Sequence, residues 1–475
     1  MPIGDTLGGF IRPGYNPLLV TDAPTIGTAT TSGDIGDNAI SIAFTAPSDV
    51  GGGAITGYTA TARDTVSTAT FAATGSSSPI TVTGLSAGQS YTVTVSATNA
   101  YGPSGGSAAS NSQEAKKFSG QLWAWGKNHY GMLGDGTTVN KSSPVQVGAL
   151  TTWVQMAGGG YHTVALKTDG TMWCWGRNHK GQLGQGDTTD RSSPVQVGAL
   201  TTWASIGTDE GYGGFCLAVK TDGTLWAWGW DNYGQLGQSN TTDYSSPVQV
   251  GALTDWLSVA GGHYTATAVK TDGTLWAWGQ NDKGQLAQGN TTNRSSPVQV
   301  GALTDWSTVV QGSAHVAASK TDGTLWTWGY NYFGQLGDGT SGHVNNKSSP
   351  VQVGSLTTWN PPGAGGYNTM ASSTAGTLWG TGKNDDGQLG QENTTDYSSP
   401  VQVGALTTWG STTVWCVNSF MNLKTDGTLW GCGRNDNGQL GDGTTTVRSS
   451  PVQVGALTTW VNGARGATFK FAIKN

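Results

Sequence analysis

Apolar and polar residues alternate in short runs along most of this chain, as in Thr163-Val164-Ala165-Leu166-Lys167 and Pro144-Val145-Gln146-Val147. Period-two alternation puts one face of an extended segment against a core and the other in solvent, so each run predicts a β-strand. From Gln121 to Trp460 these runs fall inside a cassette of about 50 residues that occurs seven times and shows no sustained helical period. Each copy opens on a variant of Leu-Trp-x-Trp-Gly and passes through Asn-x-x-Gly-Gln-Leu-Gly. It then reaches Ser-Ser-Pro-Val-Gln-Val-Gly-Ala-Leu-Thr-Thr-Trp and returns through Lys-Thr-Asp-Gly-Thr. The opening tryptophans are Trp123, Trp173, Trp226, Trp276, Trp326, Trp379 and Trp430, at steps of 50, 53, 50, 50, 53 and 51. A period of this length means one supersecondary unit per copy. Asp-Gly pairs such as Asp169-Gly170 and Asp272-Gly273 predict a tight hairpin within each unit.

Four short strands per cassette, seven times over, describe a β-propeller. The chain supplies its own test of closure. Its last run, Ala467 to Asn475, aligns with the strand that precedes the Asp-Gly turn, and the first cassette begins just past that point, at Phe118-Ser119-Gly120. The two halves make one blade, which a ring needs so that no edge strand is left unpaired.

The Leu-Trp-x-Trp-Gly, Asn-x-x-Gly-Gln-Leu-Gly and Gly-x-x-x-His…Lys-Thr-Asp-Gly pattern resembles the regulator of chromosome condensation repeat over residues 118–475. That resemblance implies a seven-bladed propeller. Residues 23–112 form a different module, with alternating strands at Ile40–Pro47, Ile55–Thr61 and Ile80–Asn99, and predict a small β-sandwich. The Leu85-x-x-Gly88-x-x-Tyr91 corner and the following Ser96-Ala97-Thr98-Asn99 are similar to fibronectin type III domains, with Phe44 where that family usually has tryptophan. The resemblance, with no Arg-Gly-Asp triplet present, implies a spacer or adaptor, with direct recognition as the second role. The fold class expected is therefore all-β: a short N-terminal segment (1–22), the sandwich (23–112), a linker (113–117) and the seven-bladed propeller (118–475).

Composition narrows the function. The formal charge is −6 with no basic run, which argues against a nucleic-acid surface. No 18-residue apolar segment exists, so no membrane insertion is expected. Met1–Thr6 lacks the basic and hydrophobic regions of a secretory signal. The four cysteines, Cys174, Cys216, Cys416 and Cys432, have no metal-ligand spacing and replace ordinary core residues. The six histidines belong to no nucleophile-elbow, zinc-protease or phosphate-loop motif. No catalysis, cofactor or metal is expected.

A binding surface is expected instead. Between Trp-Gly and Gly-Gln-Leu-Gly the cassettes carry four-residue variable insertions, whose first and third residues vary while their frame does not. Equivalent loops of a propeller share one face, so this variation maps to a ring carrying His129, Tyr130, Arg177, His179, Trp230, Tyr233, Asp282, Lys283, Tyr330, Tyr332, Phe333, Asp385 and Arg434. Aromatic and arginine side chains on a rigid frame give contact area at low entropic cost. The asparagine at the second place is expected to fix the turn. A second variable ring follows, as at Thr189-Asp190-Arg191, and Ser341–Asn346 lengthens it in one cassette.

The N-terminal segment places Phe10, Ile11, Tyr15, Leu18 and Leu19 in a stretch too short for its own core, which predicts an anchor inserted into a larger assembly. Anchor, sandwich and propeller in that order match, by analogy, a bacteriophage fibre, capsid decoration or receptor-binding protein. Other virion proteins would hold the N-terminus and a host-surface glycan or protein would meet the propeller; a homo-oligomer is compatible with this. The alternatives are a secreted bacterial adhesin or inhibitor propeller, and an intracellular regulator that, like the family's namesake, exchanges nucleotide on a GTPase.

Overall fold

A computed structural model describes residues 20–30, 39–65, 70–82, 85, 90–114, 119–211, 213–415 and 418–474. The chain divides into two compact units, residues 1–118 and 119–475. The first is a sandwich. One sheet pairs Thr25–Thr30, Ile40–Thr45 and Ile80–Val82, and the other pairs Thr70–Gly75, Gly57–Asp64, Ser90–Asn99 and two short edge pieces. Alternation explains the core: Tyr91, Val93, Val95 and Ala97 point inward from one strand and meet Ile40, Ile42, Phe44 and Tyr58. Phe44 packs at 4.7 Å on Tyr58, so the smaller ring is accommodated without loss of burial.

The polar stretch after this strand is bound to it rather than free. Ser104, Ser107 and Ser110 each accept, through Oγ, the amide N–H of Ala97, Val95 and Val93, and return their own amides to the same residues' carbonyls. The linker expected over 113–117 also starts later than the sequence indicates, because Gln113 and Glu114 pair with Tyr91 and Ser90. The glycine of the tyrosine corner, Gly88, and the anchor residues Phe10, Ile11, Tyr15, Leu18 and Leu19 lie outside the described residues, as does Cys416.

The second unit is the seven-bladed propeller. Blades 1 to 6 are four-stranded antiparallel sheets formed in sequence order: residues 153–196, 203–249, 256–299, 306–352, 363–402 and 409–453. The seventh closes the ring. Its inner strands are Trp460–Arg465 and Phe469–Lys474 and its outer strands are Gln121–Gly126 and Lys141–Gln146. The seam is a six-pair ladder running from Phe469↔Gly126 to Lys474↔Gln121. The first strands of the blades face the axis and line a central cavity of about 250 Å³ at Met156, Ile206, Val259, Val309 and Ala464. The single helical turn among the described residues is His343–Asn345.

The three tryptophan positions do different work. The second of each Trp-x-Trp pair, such as Trp175, Trp228 and Trp278, is fully buried, and its indole N–H donates to a carbonyl of the preceding blade: Met132, Gln182 and Gln235 respectively. The tryptophan that starts the first strand in six of the blades, such as Trp153 or Trp256, is buried beside it. The opening tryptophan is only half-buried, on the outer side, and in every cassette but the first its N–H donates to a threonine hydroxyl two residues back, as Trp173 does to Thr171 at 2.9 Å. Asp169 accepts that hydroxyl at 2.6 Å and the Thr171 amide at 2.9 Å. Lys167 lies over Trp173 at 3.7 Å and over Trp153 at 5.1 Å, so the lysine of Lys-Thr-Asp-Gly is a cation held between two rings. The hairpin forms where Asp-Gly predicts it. The turn runs through Thr168-Asp169, with Gly170 (φ 73°) as the left-handed residue after it.

Candidate partner-binding face

The variable loops join the third and fourth strands of each blade, and their frame is fixed residue by residue. In the 177–190 loop, buried Asn178 accepts the Leu183 amide through Oδ1 at 2.9 Å and donates through Nδ2 to the Asp187 carbonyl at 3.0 Å. Asn128, Asn281, Asn331, Asn384 and Asn435 repeat the first bond, to Leu133, Leu286, Leu336, Leu389 and Leu440. The asparagine therefore does fix the turn. The second ring contributes to the same frame, since Asp190 accepts the Asn178 amide at 2.7 Å and Asp243 accepts that of Asp231 at 2.9 Å. A buried glutamine, Gln182, accepts the Lys180 amide at 2.8 Å, and Gln335 does the same for Phe333 at 3.0 Å. Gly181 has φ 76°, and a Cβ there would lie 2.4 Å from Ser245 Cα of the next blade, so the loop is pressed against its neighbour. On this rigid backbone the third-place residues His129, His179, Asp282, Tyr332 and Asp385 are exposed and the fourth-place ones half-buried.

The aromatic members collect into three stations. In the first, Tyr130 packs edge-on to Tyr161 at 5.3 Å; Arg177 lies 4.9 Å from the Tyr130 ring and Lys127 5.4 Å from that of Tyr161. In the second, Tyr264 meets Trp230 at 5.3 Å and Tyr233 at 4.9 Å and stacks on His263 at 4.0 Å, with Lys180 5.4 Å from Trp230. In the third, Tyr330 stacks on Tyr332 at 6.3 Å, Tyr332 meets Phe333 at 4.8 Å, and Phe333 meets Tyr367 at 5.3 Å beside Lys383. The lengthened loop brings His343 to 4.4 Å from Tyr332.

The stations stand on alternate loops, those of the closing blade and blades 2 and 4. Tyr161, Tyr264 and Tyr367 complete them from one shared cassette position in the following blade. Sequence reasoning passed over these three, although aligning the cassettes at the residue before the second strand shows Tyr161, Gly214, Tyr264, Ala314, Tyr367, Asn418 and Thr468. The other candidates do not join a station. Lys283 pairs with Asp282 at 2.9 Å, and Arg434 pairs with Asp436 at 2.7 Å. His129 and His179 are exposed beside the first station, and Asp385 pairs with Lys383 at 3.0 Å.

One buried cluster has the order of a nucleophile relay. Cys216 Sγ lies 3.1 Å from His162 Nε2, and His162 Nδ1 lies 3.6 Å from Asp209 Oδ1. Its chemistry opposes that role. Burial pushes the thiol well up and the imidazole down to about 3, and it raises the Asp209 carboxyl to about 7. The thiol also donates to the Gln182 carbonyl at 3.2 Å, the place taken by a threonine hydroxyl where Thr369 donates to Gln335 at 2.8 Å beside His315. The contact is an inter-blade clasp in which sulfur replaces oxygen. No group of three His, Cys, Asp or Glu that could hold a metal occurs among the described residues.

A rigid ring that offers varied side chains on an invariant frame is a propeller scaffold of the kind used for recognition. The Regulator of chromosome condensation (RCC1) repeat matches residues 119–166, 169–208, 222–269, 272–319, 322–371, 375–416 and 426–473, and the chain belongs to that family. The Fibronectin type III domain matches residues 22–113. Among solved structures, yeast RCC1 (Prp20) bound to Kap60 is similar with a TM-score of 0.66 and 18% identity over 76% of this chain and 90% of that one. Human WBSCR16 has a TM-score of 0.66 and 18% identity over 75% and 98%. At these identities the likeness is one of fold. The ultraviolet-B receptor UVR8 of Arabidopsis thaliana is 32% identical over 133 residues, 28% of this chain and 30% of the receptor. The match thus spans under a third of that relative's length.

Proposed function

We propose that this is a non-enzymatic recognition protein whose loop face binds a protein or glycan partner. The observation that carries this reading is the trio of aromatic and cationic stations on one rigid ring. Recognition surfaces concentrate energy in aromatic anchors held in place before binding, and these rings are braced by Asn, Gln and neighbouring blades. The opposite face carries Leu200, Leu253, Leu303 and Leu356, each 45–47% exposed, but it repeats them unchanged and so differs little around the ring.

In the finer form of the proposal the partner is on a host surface and the protein is a virion appendage, anchored by residues 1–22 with the sandwich as spacer. The support is the order of modules and the apolar N-terminal segment. A regulator reading draws on one fold neighbour, yeast Prp20p, whose structure is described with its binding to Gsp1p and histones. The formal charge of −6 and the lack of a basic run weigh against a nucleic-acid partner.

Gold-labelled antibody against the propeller, applied to particles and cells of the source sample, tests the finer form. Label on viral heads or tails is the expected outcome, and label confined to cytoplasm would overturn it in favour of the regulator. The face itself is tested by Tyr332→Ala/Phe333→Ala, which should abolish binding to host cells while the melting temperature stays unchanged.

A further inference from the structure

The four-residue loops of the recognition face carry six cations, Lys127, Arg177, Lys180, Lys283, Lys383 and Arg434, and their circumstances differ. Lys180 is paired with Asp243 at 3.1 Å, Lys283 with Asp282 at 2.9 Å, Lys383 with Asp385 at 3.0 Å and Arg434 with Asp436 at 2.7 Å. Lys127 and Arg177, both half-buried, have no carboxylate partner among the described residues, and neither side chain donates a hydrogen bond to one of them. They rest on rings instead. Lys127 Nζ lies 5.4 Å from the centre of Tyr161, and the Arg177 guanidinium lies 4.9 Å from that of Tyr130 and 5.5 Å from that of Tyr161.

Both belong to the first station. An aromatic face attracts a cation but has no net charge, so it positions these two without neutralising them. The lysines of the other two stations, Lys180 and Lys383, are already met by carboxylates, which leaves the surplus of positive charge at the first. The N–H donors of Arg177, unused within the described residues, match a carboxylate in two parallel bonds. The chemistry of the station then selects among ligands. A neutral sugar would cover the rings and take water from two charges without replacing it. Inorganic phosphate or sulfate would meet the charges and leave the rings uncovered. An acidic peptide would bring its carboxylate on a flexible side chain, lose rotamer freedom on binding and offer the rings no fixed face.

A pyranose with a carboxylate on its ring supplies both halves: an anion held rigidly beside a C–H face. We propose that the first station binds a carboxylate-bearing sugar residue, uronic or sialic acid, of an acidic polysaccharide, with Arg177 and Lys127 taking its charge and Tyr130 and Tyr161 against its C–H face. The proposal rests on the reading that the loop face is the recognition surface, and it names the ligand chemistry at one place on that face.

The test uses the full chain and the methyl glycosides of glucuronic, galacturonic and N-acetylneuraminic acid, measured by saturation-transfer NMR and calorimetry. Their neutral counterparts are methyl glucoside, methyl galactoside and the methyl ester of the third, and acetylated diglutamate stands for a protein-borne acid. At least one acidic sugar should bind saturably with a dissociation constant of about 1 mM, as expected for a single-ring ligand, and its neutral counterpart about tenfold more weakly. Affinity should fall severalfold between about 0.02 M and about 0.5 M salt. Arg177→Ala should weaken binding about tenfold and Lys127→Ala should act in the same direction, while thermal melting confirms a folded ring. Arg448→Ala removes a cation that Asp442 already meets at 3.2 Å and should leave binding unchanged. No binding by any acidic sugar overturns the proposal, as does equal affinity for the neutral counterparts or binding that both station variants leave intact. Diglutamate binding as tightly as the best sugar also overturns it, in favour of an acidic protein partner. Host-cell binding by the same proteins separates this from the broader reading. Loss with Tyr332→Ala/Phe333→Ala but not with Arg177→Ala leaves the face standing and removes the acidic-sugar site; loss with Arg177→Ala supports that site.

Discussion

At position 231 the loop frame contains an aspartate where six sister loops have asparagine. Asp231 keeps the acceptor half of the role, taking the Leu236 amide at 2.8 Å. It has no amide to donate toward the carbonyls that Asn281 reaches at Asn290 and Thr292, and its Oδ2 is buried without a hydrogen-bond partner. Burial, with Asp243 nearby, raises its carboxyl to about 7. The folded state thus favours the protonated form, which can donate. This contribution is complete below the ordinary carboxylate pKa of about 3.9 and is lost as pH rises through about 7. Asp231→Asn restores the donor at every pH. Its gain in melting temperature should therefore be larger at pH 8 than at pH 5, and equal gains at the two values would show that the carboxyl is not protonated in the fold. Sequence alone shows the odd residue but not this consequence, which depends on carbonyls nine and eleven positions away.

Within a blade, the hairpin of second and third strands carries two tryptophans that look alike in sequence and differ in duty. Trp278 is fully buried and bridges to Gln235 at 2.9 Å, while Trp276 is half-buried under Lys270 at 4.5 Å. Trp278→Ala should cost about 3–5 kcal/mol, with Trp276→Ala costing less and the exposed Tyr332→Ala within about 0.5 kcal/mol of wild type. Denaturant titration of the three variants checks the order, and a larger loss at Trp276 would contradict it. Strand positions and hairpins were legible because alternation and Asp-Gly are local signals. The ranking of the two tryptophans was not, because both alternate correctly and only the neighbouring blade distinguishes them. The stations follow the same logic: the loop aromatics were legible, while Tyr161, Tyr264 and Tyr367 come from a different blade from the loops they complete.

At the scale of the whole molecule, the seam decides whether there is one ring or an open sheet stack. Phe469, Phe471 and Ile473 are fully buried in it, and each side chain withdrawn from water contributes roughly 1.5–3 kcal/mol. That sum is comparable with the total stability of an ordinary domain, about 5–15 kcal/mol. A chain ended before Phe469 should fail to give a monomer with a cooperative melt, because the strand Gln121–Gly126 would be left as an open edge. Size-exclusion chromatography with thermal melting checks this, and an unchanged monomer would contradict the closure argument. Closure was readable in the sequence because the two partial cassettes complement each other. The clasp of Cys216, His162 and Asp209 was not, since its members come from two different blades and only their packing brings them together.

The seam has a further consequence. Gln121 and Lys474 are paired neighbours, so the polypeptide enters and leaves the ring at the same spot. The ring consequently has no privileged starting point. Joining Lys474 to Gln121 through a short connector and cutting instead at an exposed turn such as Leu200-Thr201 would make a circular permutant with the same seven sheets. Whatever is fused ahead of the ring could then be re-hung from any blade, turning the three aromatic stations toward a chosen direction without altering a single contact inside them.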